Sequence, residues 1–331
     1  MRSGLRKRTD IIFLLSSVLI FTVLCLFTAV AFAEEVASPA GMYLAGSDSM
    51  LWPCGLPFEE PGYLVLDADG DDMSDYVEIT GEVCPWKVGD YVLSYRFRDV
   101  DGQEYEKSRT VKVVANPAPE TVKRENTIYL TFDDGPCQYT EQVLDALDKY
   151  GAKATFFVIC NRDDPYFYIV SEIIERGHSL GIHCSDHEYS RLYSSEKYFF
   201  EDIMEAQQLL YEETGSYATV TRFPGGSDTA YNLLGRRTEG GFDTIKQRMN
   251  DMGLRFYDWN VKTEGSYVTG EDMIYSFMTQ VPAAEVPISL QHDTRLYSVK
   301  MVERFLSWGT ANGYSFAAID TSTPEVHART P

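Results

Sequence analysis

Positive charge is scarce in this sequence. Lys and Arg total 29 against 50 Asp and Glu, a formal net charge of -21. So acidic a surface repels phosphate backbones, which excludes nucleic acid as a natural partner and argues against binding an anionic wall or membrane by bulk charge. Histidine is scarcer still, five in the chain, so the place of each one carries information. Cysteine is sparse as well, six in all. Beyond Cys25 lie Cys54, Cys84, Cys137, Cys160 and Cys184, an odd set that leaves at least one thiol unpaired within the chain. Cys54 and Cys84 are the expected disulfide. Apolar residues are not lacking: at 44% of 331 residues they supply a sizeable core and exclude wholesale disorder, and the length suits two domains.

The start of the chain reads as targeting. Arg2, Arg6, Lys7 and Arg8 precede an uncharged run from Ile11 to Ala33, and Ala31-Phe32-Ala33 fits a cleavage box. Residues 1–33 are expected to be a signal peptide, or an uncleaved anchor, since the run is long enough to span a bilayer. Val23-Leu24 lack the small residues that a lipoprotein box would place before Cys25. Either way the basic end stays inside and the rest of the chain is expected outside the cytoplasm. Residues 34–41 read as a linker. From 42 to 115, short alternating runs (Gly62 to Leu66, Tyr76 to Ile79, Asp90 to Phe97, Ser108 to Val114) separated by Gly, Pro and Asp predict a small antiparallel β-sandwich. Ala68 to Ser74 reads as an Asp-Gly turn, with calcium chelation as the other reading. Asn116-Pro117-Ala118-Pro119 opens a stiff linker over 116–124.

From 125 to 322 the pattern changes to repeated strand–helix units, which predict a parallel sheet, with 323–331 as a polar tail. Seven strands are placed near 127–132, 154–159, 178–183, 219–223, 255–260, 287–292 and 315–319. That number favours a distorted (β/α) barrel, in which chemistry sits on loops after the strands' C-terminal ends. On that rim fall Asp133 and Asp134, His183 and His187, Arg222, Trp259, and His292 with Asp293. Adjacent carboxylates repel and call for a cation. A His pair spaced by four, placed on one face of a helical turn, together with Asp134 makes a two-His, one-carboxylate set that leaves coordination open for water on a divalent ion, zinc first, with cobalt, nickel or manganese as alternatives. Asp133 then stands as general base, Arg222 as the group that holds and orients it, and His292 as the acid for the leaving group. The Gly225 N–H becomes an oxyanion donor, and Trp259 with Leu290 the wall of a pocket, core packing being the other reading for Trp259. This set suits hydrolysis of an ester or amide.

The motifs Thr131-Phe132-Asp133-Asp134-Gly135-Pro136, His183…His187, Arg222-Phe223-Pro224-Gly225-Gly226 and Leu290-Gln291-His292 resemble the polysaccharide deacetylases, the NodB homology domain of carbohydrate esterase family four. Ala154 to Val158 and Gly177 to Gly181 resemble its Gram-positive branch. Glu60 to Tyr63, Gly89-Asp90-Tyr91 and Arg109-Thr110-Val111 resemble bacterial Ig-like surface modules, which implies a spacer. The resemblance implies a metal-dependent N-deacetylase acting on a cell-wall polysaccharide, peptidoglycan first, working as a monomer that is secreted or held at the outer face of a Gram-positive-type cell membrane. It implies Asp133 as base, Asp134, His183 and His187 as ligands, and His292 as acid. The alternatives are an O-acetyl polysaccharide esterase and a surface glycan-binding protein with weakened turnover. The second arises because Gly265 stands where the family has an acidic residue behind the catalytic His, with Glu264 beside it as a substitute. Cys184 replaces the family's Ser or Thr, as a soft ligand or oxidation site, an isostere, or a disulfide partner of Cys160. Cys137 places a thiol near the metal. His178 and His327 receive structural readings, a packed histidine and a tail residue.

Overall fold

A computed structural model describes residues 40–117, 119–265 and 268–328. The basic and apolar leader, with its expected cleavage or anchoring, lies outside the described residues. No helix among those described is long and apolar enough to cross a membrane. The chain divides into two units, one of them comprising Phe58–Val83, Asp90–Lys112 and the described residues up to Leu51.

Apart from one helical turn at Ser74–Tyr76, the regular structure of that first unit is β. Strands β1 (Gly41–Leu44) and β3 (Tyr63–Leu66) pair antiparallel, and β2 (Ser49–Pro53), β6 (Glu104–Val114), β5 (Gly89–Arg98) and β4 (Glu78–Thr80) form a four-stranded sheet in that order. Reading the sequence missed β1 and β2. Arg109 on β6 is fully buried, and its guanidinium donates to the carbonyls of Ser47, Ala45 and Gly62 and pairs with Glu60. In the Asp-rich turn, Asp67 accepts from the Asp69 and Asp71 N–H groups and Asp72 from that of Ser74, the Asx-turn pattern expected of a plain turn.

The second unit carries the α/β region as a curled half-barrel of parallel strands. Its strands are β7 (Thr127–Asp133), β8 (Ala154–Ile159), β9 (Ser179–Cys184), β10 (Val220–Thr221), β11 (Arg255–Phe256), β12 (Val261–Lys262), β13 (Ile288–His292) and β14 (Ser315–Phe316). Seven run in the order β11-β10-β9-β8-β7-β13-β12, and β14 pairs with β7 off that path. The seven expected strands are all present; β12 is the addition. Every residue of β7 is buried, as its place at the middle of a two-sided sheet requires.

Side chains alternate along β7, so Tyr129, Thr131 and Asp133 share the inner face. Tyr129 packs in the interior with Phe157, Val220, Tyr257, Ile288 and Ile319. Register continues the column: Thr131 lies opposite Leu290, and Asp133 opposite both His292 and Phe157. Opposite Phe157 on β9 is Gly181, where a Cβ would strike the Phe157 ring. The sheet path ends at β11 and β12, yet these are consecutive in the chain, joined only by Tyr257 to Asn260. That crossing is pinned from inside by Arg222, whose Nε donates to the Tyr257 carbonyl at 2.8 Å and Nη2 to that of Asp258 at 3.0 Å. The stretch read as a tail is docked where described: Val326 O accepts from Asp258 N, and His327 stacks on Phe256 at 4.0 Å.

Candidate active site

Asp133 and Asp134 are neighbours in a strand sequence, so their side chains should point to opposite faces. Both reach the rim because Asp134 leaves the strand in the left-handed region, φ 72°. For a non-glycine residue this conformation costs about 1–2 kcal/mol. Gly135 follows with no room for a side chain, since a Cβ there would run into the Asp293 carboxylate.

Asp134 Oδ1 lies 3.3 Å from Nε2 of both His183 and His187, and it is buried without a hydrogen-bond donor. His183 Nδ1 faces the Arg222 carbonyl at 2.8 Å. A carbonyl only accepts, so Nδ1 carries the proton and Nε2 turns a lone pair toward Asp134. Two acceptors facing one another at this distance fit a cation between them. The ligand atoms of Asp134, His183 and His187 lie within 4.8 Å of one another. Asp134 raises the His187 imidazole, against the effect of burial.

The His pair does not sit on a helical turn as expected. His183 is on β9, near its end, and His187 lies in the following loop. The loop takes its shape from Asp202 on the helix Glu196–Thr214, whose carboxylate accepts from Ser185 N at 2.9 Å and Asp186 N at 2.8 Å.

Arg222 is wholly buried beneath the rim. Its Nη1 donates to Asp133 Oδ1 at 2.8 Å and to Thr131 Oγ1 at 2.5 Å, while the guanidinium stacks on Phe157 at 4.3 Å and beside Trp259 at 5.6 Å. After Arg222, Gly225 and Gly226 both take positive φ, and a Cβ on Gly226 would meet the Trp259 ring at 3.1 Å. Trp259 therefore packs against both the glycine loop and the interior cluster, as the core reading expects. Leu290 is buried, two residues before His292 on the same face of β13.

On the opposite side, His292 Nε2 faces Asp134 Oδ2 at 3.6 Å. Its Nδ1 lies 2.6 Å from Glu264 Oε2, and its backbone N–H donates to Glu264 Oε1. Arg295 and Ser298 donate to the same carboxylate. Burial pulls the His292 imidazolium down, but Glu264 outweighs it and leaves the pKa raised. Glu264 thus occupies the place behind His292 that Gly265 leaves open, and the reason for expecting weakened turnover falls away.

Reading the sequence missed two supports, Asp202 and Asp258, and placed Asp293 on the rim without giving it a role. Asp258 is buried and accepts from Ser227 N and Oγ at the start of the helix Gly226–Leu233, itself unforeseen. Asp293 is buried; Thr140 Oγ1 donates to it, and burial pushes its pKa up to about 7. Thr140 Oγ1 also accepts from the Cys137 N–H. Cys137 touches the Asp293 carbonyl through Sγ, and burial raises its thiol, as it does those of Cys160 and Cys184. Cys160 and Cys184 are free thiols joined only through their backbones, and neither belongs to the candidate metal set. Cys54 is a free thiol that burial pushes up to about 12, so the expected Cys54–Cys84 disulfide is not formed. His178 accepts from Ala154 N at Nδ1 and is pulled down to about 4 by burial, a packed histidine as expected.

Residues 120–242 match the polysaccharide deacetylase family, and residues 42–113 match the bacterial surface protein Ig-like domain. A peptidoglycan-N-acetylglucosamine deacetylase of Bacillus cereus is 31% identical over 198 residues, which cover 59% of this chain and 70% of that protein. One from Listeria monocytogenes is 30% identical over 212 residues, covering 64% of this chain but 41% of that protein. Among solved structures, the catalytic domain of a peptidoglycan N-acetylglucosamine deacetylase from Eubacterium rectale is 37% identical with a TM-score of 0.59, covering 64% of this chain and 96% of that domain.

Proposed function

The chain belongs to the polysaccharide deacetylase family, and from that premise we propose that it hydrolyses N-acetyl groups on a cell-wall polysaccharide, peptidoglycan first, with one zinc ion held by Asp134, His183 and His187. The observation that carries the reading is the pair of supported proton carriers flanking the candidate metal set: Asp133 clamped by Arg222, and His292 backed by Glu264. When bound, the ion supplies Lewis acidity toward the acetyl carbonyl and acidifies the attacking water. Asp133 takes the proton from that water, Arg222 fixing the direction of its carboxylate. Gly225 presents its backbone N–H to the carbonyl oxygen as charge develops there. His292 passes a proton from Nε2 to the departing sugar amine, and Glu264 orients the ring through Nδ1.

The basic and apolar leader supports action outside the cytoplasm, with the Ig-like unit as a spacer. The reading is tested by acetate release from peptidoglycan fragments stripped of ester-linked acetate, alongside acetylated xylan. Release from the amide substrate is expected. Release from the ester alone would replace this reading with that of an O-acetyl esterase.

His292 must carry its proton to act as the acid, so the rate falls as pH rises through its raised pKa. Glu264→Gln removes the anion that raises it. The alkaline limb of kcat/KM then moves to lower pH, and the rate at neutral pH falls about 10- to 100-fold. Gly265→Asp adds no rate, because the place behind His292 is taken. A limb that stays put in Glu264→Gln would remove Glu264 from the mechanism.

A further inference from the structure

Tyr189 opens the short helix Tyr189–Leu192 that follows His187. Its ring tilts against the His187 imidazole, 5.4 Å between centroids, and meets Tyr193 edge-on at 5.8 Å. Tyr193 is itself fixed: it is fully buried and its hydroxyl donates to the Pro224 carbonyl at 2.8 Å. Tyr189 is thereby wedged between a candidate metal ligand and the glycine loop. A Cβ on Gly225 would lie 2.8 Å from Tyr189 Oη and 3.1 Å from its Cε2. Glycine at 225, with φ 74°, is what lets the phenol close on the backbone.

Two donors are left over at this spot. The Gly225 N–H bonds to no carbonyl or side chain among the described residues, although its own carbonyl accepts from Thr229. Tyr189 Oη likewise has no hydrogen-bond partner among the described residues. The Tyr189 ring stands against His187, a member of the candidate metal set, and its hydroxyl end lies against Gly225.

We propose that Tyr189 is a further catalytic residue, a second oxyanion donor that works with the Gly225 N–H. The inference rests on the deacetylase reading. As water adds to the acetyl carbon, the C=O π pair moves onto the carbonyl oxygen. The Tyr189 O–H and the Gly225 N–H hydrogen-bond to that oxygen and keep their protons, so nothing is consumed when the amide bond breaks. A donor fixed in advance by packing favours the charged oxygen over the neutral carbonyl, which places the benefit in kcat rather than KM.

The test compares wild type with Tyr189→Phe, which keeps the ring and its packing. Both are purified as the full chain with zinc and assayed on a soluble N-acetylglucosamine oligomer. A methylphosphonamidate analogue of that oligomer, whose tetrahedral oxygens mimic the intermediate, serves as inhibitor. Tyr189→Phe should lower kcat about 10- to 100-fold with KM within about threefold, below the full range for removing a lone oxyanion donor because a second donor and the cation remain. The inhibitor should weaken in parallel with kcat/KM, while zinc content and melting temperature stay unchanged. An unchanged kcat, or a loss confined to KM with undiminished phosphonamidate inhibition, would overturn the role of Tyr189 and leave it as packing or ground-state binding. A wild type that releases no acetate would overturn both this role and the deacetylase reading; an active wild type matched by Tyr189→Phe overturns only the former.

Discussion

Replacing Asp133 by Asn lowers acetate release by about 10²- to 10⁴-fold, the range for losing a positioned general base, while zinc binding persists. The substitution is nearly isosteric. The Asn carbonyl oxygen can still accept from Arg222 Nη1, which reaches Asp133 Oδ1 at 2.8 Å. Asp134, His183 and His187, the candidate ligands, are untouched. What disappears is the capacity to take a proton at the inner end of β7. The comparison is made at equal zinc occupancy, with kcat read directly. Activity within tenfold of wild type would move the base elsewhere.

Arg222→Met should cost about 3–5 kcal/mol of folding stability, the scale for removing one partner of a buried ion pair, and abolish turnover with it. Methionine fills a similar volume but returns none of the hydrogen bonds. Asp133, itself almost fully buried, is left without its counter-charge. The Tyr257 and Asp258 carbonyls lose the donors that pin the segment joining the two edge strands. Denaturant unfolding of the single variants and of the Asp133→Asn/Arg222→Met pair gives the coupling directly. Asp133→Asn relieves the unpaired charge, so the double variant should be more stable than the sum of the singles predicts, by about 0.5–3 kcal/mol. Strict additivity would mean that the pair does not work as a unit.

Much of the site was legible because its parts end long, patterned strands. β7 carries an apolar stretch and β13 an alternating one, so Asp133 and His292 could be placed on one rim, and their register confirms that they are opposite neighbours. The His pair was found by residue type, but its geometry was misjudged: a spacing of four suits a helical turn, whereas here a strand end and a loop shaped by Asp202 bring the rings together. Asp202 and Asp258 act across long chain separations, and nothing local marks them; Asp293 could be placed on the rim from its strand end, but not its partner Thr140. Glu264 was in doubt because β12 is two residues long, too short for an alternating pattern to register. With Lys262 paired to Leu290, the same register carried two residues on sets Glu264 beside His292. The sandwich was read from its longer strands, and β1 and β2 escaped because they are short and half-exposed.

Both of those variants presuppose a zinc-dependent amide hydrolase. The most direct test of that is acetate released by the full chain from N-acetylated peptidoglycan fragments, measured as purified, after stripping with a chelator, and after reloading with zinc. The predicted result is release that the chelator abolishes and zinc restores. No release from zinc-loaded protein that still binds the glycan would contradict the account, and would make the chain a glycan-binding protein on a deacetylase fold.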